Sequence, residues 1–270
     1  MKKVLVLSIL SIGLVSVISG QNKKELAEMR REAIREAKMD AKLSAQNNAP
    51  APGDVGEPDS FGKNAVFLGI AGGGVIYVEP SCAVADLAAD GITLGPDDRC
   101  LEVTDPTVLK SQTFTDVGRI TIPGKSVSNI VYAINNHNIN WHFSNFTPAN
   151  SLGRMTYTPT ITIESDALND PTAINPNTGL PMNGSYTTTG NGTRSVSEIL
   201  FPTASQTQTE SYTRANTLGF SRTFWAGLGL PNNVINQIYK KPMTIRLGAI
   251  VTVRNVDFGL MTYTVRFLGN

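Results

Sequence analysis

MTYTPTITIES, residues 155–165, sets bulky apolar side chains two positions apart: Tyr157, then Ile161 and Ile163 beyond Pro159. Alternation of that period marks a β-strand that buries one face. The same signature extends in both directions. Upstream lie AVFLGI (65–70), VIYVEP (75–80), QTFTDVGRITIPG (112–124), SVSNIVYAI (126–134) and INWHFSNF (139–146). Downstream lie VSEILF (196–201), a Thr-rich stretch running to FSRTFW (220–225), and the segments TIRLGAIVTV (244–253) and LMTYTVRFL (260–268). The last two read as a strand pair joined around Asn255–Gly259. Gly72, Gly73 and Gly74 read as a turn or bulge between two apolar strands. Short strands separated by turn clusters, with little helix and no fixed-period repeat, predict an all-β fold, a β-sandwich or jelly roll.

Two stretches break the pattern. Residues 166–194, DALNDPTAINPNTGLPMNGSYTTTGNGTR, are a long run of turn chemistry and predict a large surface loop or extended excursion. NNVINQIYKK, with Pro231 at its first turn and Pro242 beyond its end, predicts one short helix.

The chain opens differently. MKKVLVLSILSIGLVSVISG, residues 1–20, has a basic start at Lys2 and Lys3, an apolar run from Val4 to about Val17, and small Ser19 and Gly20 before Gln21. That is the pattern of a cleaved secretory signal, and the run is shorter than a spanning helix needs. It predicts a secreted protein, periplasmic, cell-surface or extracellular, with no membrane span after cleavage. Residues 21–44 follow as a charged helical arm, capped by Asn22 with Glu25 three positions on. Its apolar side, Leu26, Met29, Ala33, Ala37 and Ala41, is too thin to dock firmly. Residues 45–60, AQNNAPAPGDVGEPDS, are a Pro/Gly-rich linker. The all-β domain therefore spans 61–270.

Charged residues make up 17% of the chain, below the usual quarter, and Thr, Asn and Ser take their place. Loss of the signal leaves 21 basic and 22 acidic residues, a net −1. Such a balance gives no general attraction for nucleic acid. The charge is unevenly spread. Residues 49–210 carry seven basic and sixteen acidic side chains (−9), and residues 211–270 carry seven basic and only Asp257 (+6). The two regions pair either within one fold or head to tail between copies. Arg246, Arg254 and Arg266, on the final strands, are the candidate assembly contacts if they point outward from an edge strand.

Only two cysteines occur, Cys82 and Cys100, and in an oxidising compartment they predict a disulfide. Chemistry-bearing motifs are sparse. His137 and His142 lie five apart on one strand and face opposite ways, which makes them poor co-ligands. No G-x-S-x-G elbow accompanies them. GIAGGG (69–74) lacks the Lys-Ser/Thr ending of a phosphate loop. Ser60-Phe-Gly-Lys63 lacks the partner motifs of penicillin-interacting enzymes. Asp86, Asp90, Asp97 and Asp98 fall within the cysteine loop, where calcium is a candidate ligand without a specific motif; no other cofactor is called for. Trp141 and Trp225 are candidates for stacking on sugar rings if they face solvent.

The function expected from these observations is a secreted, non-enzymatic structural or adhesive surface protein that assembles with copies of itself. The alternatives are a module binding surface polysaccharide through Trp141 and Trp225, and a secreted hydrolase if either histidine meets an acid and a nucleophile in space.

Overall fold

A computed structural model describes residues 65–72, 74–190 and 192–270, together with Glu28, Arg31 and Arg35. The signal and linker expectations lie outside the described residues, as does most of the arm; Glu28, Arg31 and Arg35 are helical and exposed.

The body is all-β, two sheets packed face to face. Eleven strands are described: β1 (Val66–Ala71), β2 (Val75–Glu79), β3 (Arg99–Glu102), β4 (Lys110–Ile122), β5 (Ile130–Ser144), β6 (Ser151–Glu164), β7 (Ser185–Thr189), β8 (Arg194–Leu200), β9 (Ser205–Ser221), β10 (Met243–Arg254) and β11 (Val256–Gly269). One sheet runs β3-β2-β11-β5-β9, with β1 also on β11; the other runs β4-β10-β6-β7, with β8 also on β6. Pairing is antiparallel except for the short β2–β3 ladder. The alternation in MTYTPTITIES has the meaning expected of it: Met155, Tyr157, Ile161 and Ile163 point into the inter-sheet core, where Trp141, Phe143, Val251, Tyr263 and Phe267 meet them.

The glycine run interrupts one lane of the first sheet. β1 lies along Val265–Gly269 and β2 along Gly259–Thr262, both on the side of β11 that β5 leaves free. Gly72 has φ 144°, and a Cβ there would sit 2.9 Å from the Tyr263 carbonyl oxygen; one on Gly118 would sit 2.8 Å from the Gly72 Cα. Side chains are excluded where these backbones cross.

Four expectations need correcting. The final two strands are not a hairpin: β10 and β11 belong to opposite sheets and only Asn255 joins them, in the left-handed region at φ 52°. Asn tolerates that conformation, and a one-residue corner lets the chain change sheets at full strand length. The turn-rich stretch 166–194 is not merely a loop, because it holds a 3₁₀ turn (Asp166–Asn169) and β7, anchored by buried Leu168, Ala173, Met182 and Tyr186. FSRTFW does not stay extended: Ser221 caps α2 (Arg222–Gly227) by accepting a hydrogen bond from the Phe224 N–H at 3.0 Å. A further short helix, α1 (Val84–Ala89), joins β2 to β3. The expected helix is present as α3 (Asn232–Lys240), with Pro231 at its N-cap, and packs Val234, Ile235, Ile238 and Tyr239 against the core.

Cys82 and Cys100 are joined, with Cα atoms 5.9 Å apart. The bridge closes α1 and its loop over the outer face of the first sheet, where Val75, Tyr77, Leu87, Ile92, Phe258 and Leu260 form a second, smaller core. No described helix is long and apolar enough to cross a membrane.

Candidate functional site

The strand directions gather four connections at one end of the sandwich: 103–109, 145–150, 201–204 and the Asn255 corner. Two buried asparagines knit them. The Asn255 amide nitrogen donates to Ser151 Oγ at 2.6 Å and to the Leu152 carbonyl at 2.9 Å, and its backbone N–H donates to the Pro106 carbonyl at 2.5 Å. Asn145 Nδ2 donates to the carbonyls of Ala149, Leu200 and Phe201 at 2.8, 3.0 and 3.0 Å.

On this braced end sit Val108, Leu109, Phe146, Leu152, Ile199 and Phe201, all exposed; Phe146, Ile199 and Phe201 are 65%, 71% and 66% exposed. Leu152 and Ile199 are direct cross-strand partners on β6 and β8. Beside Phe146 opens a recess of about 430 Å³ lined by Pro80, Val103, Pro106 and Phe258, with Asp105 and Asp257 as its carboxylates. Thr107 holds the Asp105 carboxyl below the usual carboxylate range, by its hydroxyl first and its backbone N–H second. The sequence reading missed these residues. Their signal was local: Phe146 and Phe201 are bulky apolar residues stranded inside turn chemistry, where core packing has no use for them.

Asp257 does meet a histidine. Its Oδ1 lies 2.7 Å from His142 Nδ1, and Ser144 Oγ lies 3.1 Å from both that same nitrogen and Asp257 Oδ2. A serine-hydrolase relay needs the acid on one ring nitrogen and the serine on the other. Here both partners converge on Nδ1, so the cluster braces the β11 bulge and does not activate Ser144. His137 faces the opposite way, into the core, as the five-residue spacing predicts. Its ring stacks on Tyr263 at 4.8 Å and lies 4.9 Å from Tyr212 and 5.6 Å from Tyr157. Burial, with Tyr263 second, pushes the Tyr157 hydroxyl well above the ordinary tyrosine range.

The tryptophan expectation is corrected. Trp141 is fully buried on the inner face of β5, and Trp225 is buried against Phe220, Phe224 and Tyr186. Neither offers a face to a sugar. The arginine expectation is corrected too, because β10 and β11 are interior strands of their sheets. Arg246 is held inside the chain, 2.8 Å from Glu164 and 2.9 Å from Asp116, and Arg119 completes the row at 2.7 Å from Asp116. Arg254 donates to the Thr107 carbonyl at 2.9 Å, and Arg266 is exposed. At Arg246 the acidic and basic regions therefore pair within one chain.

Of the loop aspartates, Asp86 and Asp98 are bracing groups. Asp98 accepts from the backbone N–H of Val75 at 2.8 Å and of Gly95 at 2.7 Å, and Asp86 accepts from Ser81 Oγ at 2.6 Å. Among the described residues no three His, Cys, Asp or Glu side chains gather as a metal site.

No protein-family model matches the chain, and no curated protein matches it. Among solved structures it is similar to infectious bursal disease virus, Gx strain, at 14% identity and TM-score 0.17, covering 66% of this chain and 36% of that one. A subviral particle of the same virus gives 9% identity and TM-score 0.18 over 60% of this chain and 33% of the other. The VP1 protein of trichodysplasia spinulosa-associated polyomavirus, solved with sialylated glycooligomers, gives 9% and 0.16 over 60% and 78%. The chain spans about a third of the length of the bursal disease virus chains it matches. At these scores the likeness carries no weight for fold or function.

Proposed function

We propose that this chain is a secreted, non-enzymatic structural or adhesive β-sandwich that assembles with copies of itself through its braced loop end. The observation that carries the reading is the gathering of Phe146, Ile199, Phe201, Leu152, Val108 and Leu109 on one end of the fold. Single exposed apolar residues are ordinary, but several on one ordered surface mark a contact site. The asparagine-braced backbone beneath them supports the same reading, since a pre-ordered surface loses less entropy on docking. The export route rests on the basic-apolar pattern of residues 1–20. The buried Trp141 and Trp225 do not support the sugar-binding alternative, and the contacts at His142 Nδ1 do not support the hydrolase alternative.

Sedimentation of the exported chain over a range of protein concentrations tests the proposal. Wild type should form species larger than a dimer. Phe146→Ser combined with Phe201→Ser should abolish them, weakening association at least about tenfold, while the thermal midpoint stays put because both side chains are exposed. A chain that is monomeric at every concentration overturns the reading.

A further inference from the structure

Every sheet has edges, and most of those described here are blunted. β3 has four residues and is tied down by the disulfide, β7 has five, and β1 has six with a register shift at Gly69. β4 is long but carries Lys110, Asp116 and Arg119 and a break in its register with β10. Short length, charge and bulges are the devices that keep sheet edges from pairing with other chains. β9 lacks them. It runs 17 residues, keeps an unbroken register with β5 from Ser205 to Asn216, and contains neither Lys nor Pro. No described strand lies along its outer edge.

The sequence of β9 also carries charge information. Its only charged residues are Glu210 and Arg214. An antiparallel two-fold pairing centred on Tyr212 sets Glu210 opposite Arg214 of the second copy, twice per dimer. It also sets Tyr212 opposite Tyr212 and Ser211 opposite Thr213. Registers centred on Glu210 or on Arg214 instead set like charges face to face, which is destabilising. Directly opposed residues share a sheet face, and Glu210 and Arg214 lie on one face by the two-residue period. That face is already ordered. Arg194 clasps Glu210 with two 2.5 Å hydrogen bonds, Tyr212 Oη donates to the Gly192 carbonyl at 2.5 Å, and the Arg214 guanidinium lies 5.6 Å from the Tyr212 ring centre. Arg214 is exposed. On the other face, Thr209 and Thr213 are tied to Asn140 and Asn136 of β5 at 3.0 and 2.8 Å. The edge from Ser205 to Asn216 is thus a pre-ordered template.

We infer that β9 pairs with β9 of a second copy, antiparallel about a two-fold axis at Tyr212, so that the first sheets of two chains become one continuous sheet held in register by Glu210–Arg214 pairs. This rests on the reading that the chain associates with itself, but it names a different surface from the loop end. A symmetric contact of this kind is isologous and closes at two chains; combined with the loop end it extends an array.

The test uses the exported chain carrying Phe146→Ser and Phe201→Ser, in which association through the loop end is removed. That protein should sediment as a dimer. Adding Ser211→Lys and Thr213→Lys, both exposed positions, sets Lys against Lys across the axis and should leave a monomer, its dissociation constant raised at least about tenfold. Register is tested separately. Glu210→Arg chains and Arg214→Glu chains should each be monomeric alone and should form mixed dimers when combined, because only the mixture restores opposite charges at both positions. An unchanged dimer with the lysine pair, or no dimer on mixing two folded single variants, overturns the inference and leaves the loop-end reading standing. A chain monomeric in its wild-type form overturns both.

Discussion

Six tyrosines share one condition: burial, first among the causes in each, pushes the hydroxyl above its ordinary range at Tyr77, Tyr157, Tyr186, Tyr212, Tyr239 and Tyr263. Tyr212 is pushed up to about 12, with Glu210 adding to the burial. An unfolded tyrosine ionises near pH ~10. Above that pH the unfolded chain sheds protons that the folded chain keeps, so stability falls as pH rises. The contribution is complete below pH ~10 and drains away as pH climbs through the raised folded values. Urea midpoints should therefore hold level from neutrality to about pH 9 and drop steeply above about pH 10. Tyrosinate absorbance from the fully buried Tyr157 and Tyr263 should appear only together with loss of the fold. Tyr157, Tyr212 and Tyr263 titrating near their ordinary value in a chain that stays folded would contradict the buried His137–tyrosine cluster.

Among elements, the strap containing α1 has the least support of its own. It is six residues of helix over a six-residue core, and the Cys82–Cys100 bridge fastens it. In the chain-entropy model, closing a loop of that size is worth roughly 3 kcal/mol. Cys82→Ser with Cys100→Ser should lower unfolding stability by about that amount, read by denaturant melts. Amide exchange should rise first in residues 82–100, while β5, β6 and β10 stay protected. Equal acceleration throughout would show the strap to be integral to the main core. The bridge and most strands were legible in the sequence because oxidation state and two-residue alternation are local properties. Sheet membership was not. Nothing in TIRLGAIVTV or LMTYTVRFL says that one residue, Asn255, sends them to opposite sheets. β7 was hidden because its anchors, Leu168, Ala173, Met182 and Tyr186, are spaced by the loop's path and follow no period.

At the scale of the whole molecule, the split between an acidic front and a basic tail left pairing within one fold and pairing between copies both open, and at Arg246 the fold takes the first course. Arg246, from the basic region, reaches Asp116 and Glu164 of the acidic one across β4, β10 and β6. The sequence could not show this, because 130 and 82 positions separate the partners. The grouping of the candidate site was illegible for the same reason: Asn145 bridges the loops of Phe146 and Phe201, and Asp257 reaches His142 from another strand. The contacts proposed between copies are an apolar loop end and an open strand edge, for which apolar burial and backbone pairing supply more than exposed ions. Salt is therefore the discriminating variable. Near 1 M the Debye length shrinks to about 3 Å, which suppresses attraction between exposed charges but leaves apolar burial and backbone pairing in force. Light scattering of the exported chain at low and high salt should find assembly preserved at 1 M, with only a few-fold loss assignable to the Glu210–Arg214 pairs. Complete dissociation at high salt would instead return the contact to exposed charge, with Arg266 the first residue to change, and would remove the loop end from the interface.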